Sequence, residues 1–293
     1  MSAKGSYYLP EPSPWPIATS SGIFLLALGL VLTINAVAAG SWVMLAGAAV
    51  IIYVMIRWFG QVIGESEGGA YSNRVDMSFR LGMGWFIFSE VMFFAAFFGA
   101  LFYVRMFSVE WLSTGLEKEL LWPGYEGGWP TAGPAGPATI AADTTPGANQ
   151  FSPMGAWGIP AINTLILLTS GATVTWAHWG LKKENRAQLI TGLFLTVALG
   201  ITFLSLQAFE YIHAYHELGL TLKAGVYGAT FFMLTGFHGL HVTIGTIMLI
   251  VILGRSIKGH FTAEHHFGFE GVAWYWHFVD VVWLGLFIFV YWL

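Results

Sequence analysis

A single carboxylate, Glu90, stands inside the apolar run LGMGWFIFSEVMFFAAFFGALFYVRMF, residues 81–107. At ~1.5 Å of rise per residue it lies roughly 15 Å along a helix from Arg80, half of a ~30 Å hydrocarbon layer. An ionisable group at that depth costs several kcal/mol and calls for a partner and a purpose. Two histidines, His238 and His241, stand at i,i+3 in a second apolar run and so share one helical face. Counted from Ala224, His238 falls about 21 Å in, close to the depth of Glu90. Asp280, nine residues beyond Gly271, brings a third polar position into the same slab. Such a layer fits a proton relay, an interhelical hydrogen-bond cluster or a His–His–carboxylate metal site. No Lys or Arg is placed at that depth to hold Glu90 ionised. The expectation is therefore a neutral acid that donates a hydrogen bond to His238 or His241, with Asp280 as a further candidate partner.

The i,i+3 pair is a weak metal motif, and the other histidines are spread over helix ends and loops, so no metal is assigned to this chain. No phosphate loop, Ser/His/Asp set, dinucleotide fingerprint or transporter-type repeat is present. Cysteine is absent, which excludes disulfides, thiolate metal sites and a Cys nucleophile, and leaves any haem or copper to histidine alone.

The elements that must position these residues are membrane spans. The chain is 56% hydrophobic and 10% charged, against ~25% charged in a typical soluble domain. This makes it an all-α, polytopic membrane protein. The opening MSAKGSYYLPEPSPWP has no charged n-region leading into a short apolar stretch, so no removable signal peptide is expected. Residues 12–56 carry no charge and are about twice the ~20 residues of one crossing, which predicts a hairpin. Helix 1 is expected at 16–38 and helix 2 at 42–63, with the turn at Ala39-Gly40-Ser41. Helix 3 follows at 81–107, helix 4 at 157–179, helix 5 at 187–213 with Glu210 near its far end, helix 6 within 224–254 and helix 7 at 271–293. The organisation is then an inner N-terminal segment 1–15, a hairpin 16–63, an inner loop 64–80, and a bundle 81–293 interrupted by a long outer loop 108–156. That loop is rich in proline and glycine and is expected to be irregular and solvated.

Seven spans put the termini on opposite sides. With the N-terminus inside, nine basic residues (Lys4, Arg57, Arg74, Arg80, Lys182, Lys183, Arg186, Arg255 and Lys258) face the inner side. Three (Arg105, Lys118 and Lys223) face outward, which satisfies the positive-inside rule.

The stretches GVYGATFFMLTGFHGLHVTIGT and HFTAEHHFGFEGVAWYWHFVDVVWLGLFIFVYWL closely resemble subunit III of the cytochrome c oxidases of the haem-copper family. The resemblance continues through ITFLSLQAFEY, TSGATVTWAHW and RLGMGWFIFSEVMFF, in one order and over nearly everything from Trp58 onward except the outer loop. It implies seven helices in a 2 + 5 arrangement with a lipid-holding cleft. It also implies a non-catalytic subunit of a proton-pumping translocase that reduces O2 to water with electrons from cytochrome c in aerobic respiration. Haem and copper would lie in partner subunits I and II. This chain would bind structural phospholipid, stabilise subunit I and support proton uptake, with no nucleic-acid role. Glu90 matches the family's carbodiimide-reactive intramembrane glutamate. Trp58, Arg80 and Arg255 match its lipid-contacting positions. The inner end of helix 2 departs from the family's WWRDVIRE by carrying Gln61 and Gly64. The long outer loop points to a bacterial inner (plasma) membrane, with a cytoplasmic N-terminus and a periplasmic C-terminus. The alternatives are the equivalent subunit of a quinol oxidase and a proton-coupled secondary transporter.

Overall fold

The computed structural model describes residues 8–136 and 151–293. Residues 1–7 of the expected N-terminal segment and 137–150 of the expected outer loop, with Lys4, Pro137, Asp143 and Pro146, lie outside the described residues. Among those described there is no strand, and seven helices are long and apolar enough to cross a membrane.

The first compact unit, Met1–Leu81, holds α1 (Trp15–Ile34), α2 (Gly40–Glu67) and the start of α3 (Asn73–Tyr103). Pro16 opens α1, where a missing N–H costs nothing. The hairpin turns earlier than Ala39-Gly40-Ser41. Asn35 ends α1 by donating from Nδ2 to the Val31 carbonyl at 2.8 Å, and Ala36 takes a left-handed backbone with φ +60°. Gly40 serves contact instead, since a Cβ there would lie 2.5 Å from the Thr33 amide nitrogen. Only Gly22 and Gly29 are buried in α1, and Gly40, Gly47 and Val54 in α2. In lipid, apolar side chains gain little by leaving the tails, so glycines that let two backbones touch specify the pairing.

The expected inner loop 64–80 is corrected to a link of residues 68–72, because α2 runs to Glu67 and α3 begins at Asn73. Charge ends the hydrocarbon slab but does not end a helix whose side chains find partners. Gln61 Nε2 donates to Glu65 at 2.8 Å, Trp15 Nε1 donates to Gln61 Oε1 at 2.7 Å, and Arg80 pairs with Asp76 at 2.7 Å. Within the link, Tyr71 donates to the Glu65 carboxylate at 2.8 Å. Burial, and then this carboxylate, push the Tyr71 phenol well above its ordinary value.

The second unit, Gly82–Leu293, contains the rest of α3 and everything after it. Helix α3 continues through a π-helical turn, Val104–Ser108, into α4 (Val109–Ser113), giving 41 continuous helical residues. At ~1.5 Å per residue this is about twice the hydrocarbon thickness, so its charged ends project into the aqueous layers. After α5 (Gly115–Leu121) come α6 (Ile159–Lys182), α7 (Arg186–His216), α8 (Gly225–Lys258) and α9 (Phe267–Leu286), which ends in a π-helical segment, Phe287–Trp292. Helices α6 and α7 form an antiparallel hairpin with Asn185 as the N-cap of α7, accepting from the Gln188 amide at 3.1 Å. Helix α8 packs on α7, and α9 closes the group against α8 and α6. The core is fixed by shape and by polar anchors on its largest rings. Trp276 Nε1 donates to Ser170 Oγ and Trp283 Nε1 to Thr164 Oγ1, each at 2.9 Å.

The outer segment departs from a solvated loop. Residues 109–121 are largely helical, and the irregular part is packed: Tyr125, Thr131, Ala132, Phe151 and Met154 are buried. The amides of Val226 and Tyr227 at the start of α8 donate to the Ala132 and Thr131 carbonyls at 3.1 Å each, and Phe151 stacks on Tyr227. These bonds satisfy donors that every helix N-terminus leaves over.

Candidate functional site

Three elements converge on Glu90. It lies on α3 with its side chain 23% exposed, and its Oε2 is 3.0 Å from His241 Nε2 on α8. Phe93, Phe94 and Tyr275 form an aromatic surround to the imidazole, with Phe94 edge-on at 5.0 Å and Tyr275 stacked at 6.3 Å between centroids. Phe93 also contacts Phe237 at 5.0 Å, so aromatic side chains hold α3 to α8 where the pair sits.

The other imidazole nitrogen decides the proton count. His241 Nδ1 is 2.6 Å from the Phe237 carbonyl, which can only accept, so Nδ1 carries a hydrogen. Nε2 then faces Glu90 either as the bare acceptor of a neutral ring or as the second donor of an imidazolium. In the first case Glu90 must be the acid; in the second it is the carboxylate. In either arrangement one proton occupies the hydrogen bond between Nε2 and Oε2.

His238 and Asp280 are not partners of Glu90. His238, fully buried, donates from Nε2 to the Val279 carbonyl at 3.2 Å and sits between Phe203 and Trp283, leaving Nδ1 without a partner. The one-turn offset between His238 and His241 sends them to α9 and α3 respectively. Asp280 instead faces His277, with Oδ2 3.6 Å from Nδ1. The Thr175 hydroxyl donates to the Gly171 carbonyl at 2.9 Å and is 3.1 Å from His277 Nε2, which therefore donates to it. His277 Nδ1 thus faces Asp280 as His241 Nε2 faces Glu90. The i,i+3 spacing of His277 and Asp280 stood in the sequence, but the second partner, Thr175, comes from α6, 102 residues away, and spacing could not show it. Sequence reasoning also gave no role to Glu210, which is fully buried and accepts from Tyr291 at 2.6 Å.

Of the residues expected to touch lipid, Trp58 is half-buried on α2, Arg80 pairs with Asp76, and the Arg255 guanidinium lies 4.5 Å over the Phe261 ring. Among the described residues no group of three or more His, Asp or Glu gathers as metal ligands would.

A family model described as cytochrome c oxidase subunit III matches residues 5–118 and 139–293. The chain belongs to the cytochrome c oxidase subunit III family. A lancelet relative (Branchiostoma lanceolatum), named cytochrome c oxidase subunit 3, is 42% identical over 98% of this chain and 96% of its own. A liverwort relative of the same name (Marchantia polymorpha) is 41% identical over 100% and 98%. One from Hippopotamus amphibius is 40% identical over 98% and 97%. The family match omits only residues 1–4 and 119–138, the latter within the proline-rich outer segment. As a member of the subunit III family, the chain is a multi-pass membrane component of an oxidoreductase complex.

Proposed function

We propose that this chain serves its oxidase as a non-catalytic subunit that packs on subunit I, the oxygen-reducing partner, and supports its proton uptake. Haem and copper reside in subunits I and II, and electrons arrive from cytochrome c. The observation that carries the reading is the Glu90–His241 pair, an intramembrane hydrogen bond whose imidazole is flanked by aromatic rings. A part-buried pair that shares one proton can hand it across without exposing an isolated charge to hydrocarbon.

Phospholipid head groups bind at the basic helix ends, through Trp58 and Arg80 in the first unit and through Arg255 in the second; the 2 + 5 arrangement with its lipid-holding cleft belongs to this proposal. The excess of nine basic residues over three supports a cytoplasmic position for that face, and the length of the outer segment is the ground for proposing a bacterial plasma membrane.

Purification of the native complex tests the reading. The chain should co-purify with haem-bearing partners, and Glu90→Gln should assemble fully yet slow turnover per haem. An amide keeps the hydrogen bond but has no proton to share. Full turnover in a fully assembled Glu90→Gln enzyme would reduce the pair to a packing contact.

A further inference from the structure

Away from Glu90, at the end of the bundle that carries the C-terminus, a second set of polar side chains is buried. Glu210 on α7 is 1% exposed. Its Oε1 accepts from Tyr291, and among the described residues its Oε2 has no partner in hydrogen-bond geometry. Gln207, one turn earlier, is buried beside Glu210 and Tyr291 with neither amide atom in hydrogen-bond geometry to them. Asn163 on α6 is buried too, and neither of its amide atoms has a partner among the described residues.

The hairpin register sets these residues at neighbouring levels of α6 and α7. Gly180 packs on Leu189, Gly192 on Ala177, and Thr173 Oγ1 lies 2.8 Å from Thr196 Oγ1, so each step back along α6 matches a step forward along α7. Ten residues beyond the Thr173–Thr196 pair, Asn163 comes level with Leu206 and Gln207. Glu210 and Pro160, a turn further on, line one cavity of about 270 Å³ together with Met154, Trp157 and His213. The cavity leads to the surface, where His213 is half-exposed and pairs with Glu217 at 3.0 Å.

We propose that this is a hydrated site: bound water bridges Glu210 Oε2 to the amides of Gln207 and Asn163, and the cavity connects it to the aqueous layer on the C-terminal side. The donor and acceptor inventory selects the ligand. The unpartnered atoms comprise three acceptors, Glu210 Oε2, Gln207 Oε1 and Asn163 Oδ1, and two donor nitrogens, Gln207 Nε2 and Asn163 Nδ2. A cation would satisfy the acceptors and leave the amide N–H groups stranded; an anion would do the reverse and meet a carboxylate. Water answers both kinds, and buried water sits where a few polar groups otherwise lack partners. Glu210 then exchanges its proton or its hydrogen-bonding water with one side of the membrane, independently of the Glu90–His241 pair.

A map of the intact oxidase complex at a resolution that shows water tests this. Water density within hydrogen-bonding distance of Glu210 Oε2 and at least one of the two amides is expected. Glu210, Gln207 and Asn163 closed directly on one another with no water between them would overturn it, as would a single density contacted by oxygen atoms only. Connection to solvent is read by infrared difference spectra of wild type against Glu210→Gln. The carboxyl band lost in the variant, in either protonation state, should shift within seconds of mixing the wild type with D2O; a band unmoved for hours overturns the proposal. If Glu210→Gln fails to assemble, Gln207→Leu in the same map decides: loss of the water density supports the site, and unchanged density overturns it.

Discussion

His241 is held at both ring nitrogens, which makes its two replacements informative. His241→Phe suits the aromatic surround but removes the hydrogen-bond partner of Glu90, so a part-buried carboxyl is left unpaired at a cost of ~1–3 kcal/mol. Less of the chain should then be retained in the purified complex, and His241→Gln, whose amide oxygen can accept, should restore it. Tyr71 offers a second test at this scale. Tyr71→Phe removes the hydrogen bond to Glu65 and should lower thermal stability by ~1 kcal/mol. The folded phenol holds its proton more tightly than the unfolded one, so its contribution is complete below the ordinary value of 10.0 and is lost only as pH rises past it. The difference in melting between wild type and Tyr71→Phe should therefore be constant between about pH 6 and 9.

Helix pairing in this chain rests on where glycines stand. A Cβ on Gly47 would lie 2.5 Å from the Leu26 amide nitrogen and 2.8 Å from the Gly22 carbonyl oxygen, both backbone atoms that cannot swing aside. Gly47→Val should force α1 and α2 apart at ~1–3 kcal/mol, seen as faster proteolysis of the hairpin in the assembled complex. Gly60, on the same helix, has nothing within 4 Å of its would-be Cβ. Gly60→Ala should be neutral or stabilising by up to ~1 kcal/mol, since alanine is the better helix former. Equal damage from both substitutions would show that helix propensity, not close approach, governs the hairpin.

The molecule as a whole has two measurable consequences. Tags on the N- and C-termini should be accessible from opposite sides of oriented vesicles, with the N-terminal tag on the side of Lys182, Lys183 and Arg186. Two tags on one side would contradict an odd number of crossings. Metal analysis of the isolated chain should find neither iron nor copper in stoichiometric amount, because among the described residues no three His, Asp or Glu side chains gather as ligands would.

The spans themselves were legible in the residues, because hydrocarbon tolerates an unpaired backbone so poorly that twenty uncharged residues leave little but a helix. Glu90 was legible for the same reason: a lone acid among phenylalanines stands out wherever it is placed. Helix ends were harder to read. Residues 64–67 and 73–80 look like a loop by polarity, yet Glu65, Tyr71, Asp76 and Arg80 satisfy one another and the helices run on. Partner choice was beyond the sequence. His238 and His241 are alike in type, depth and spacing, and only the packing of α8 against both α3 and α9 turned one towards Glu90 and the other towards a carbonyl. The Glu210 cluster was hidden for a related reason, since Tyr291 meets Glu210 only where the helical continuation of α9 packs on α7, and Asn163 comes level with Gln207 only through the register of α6 and α7.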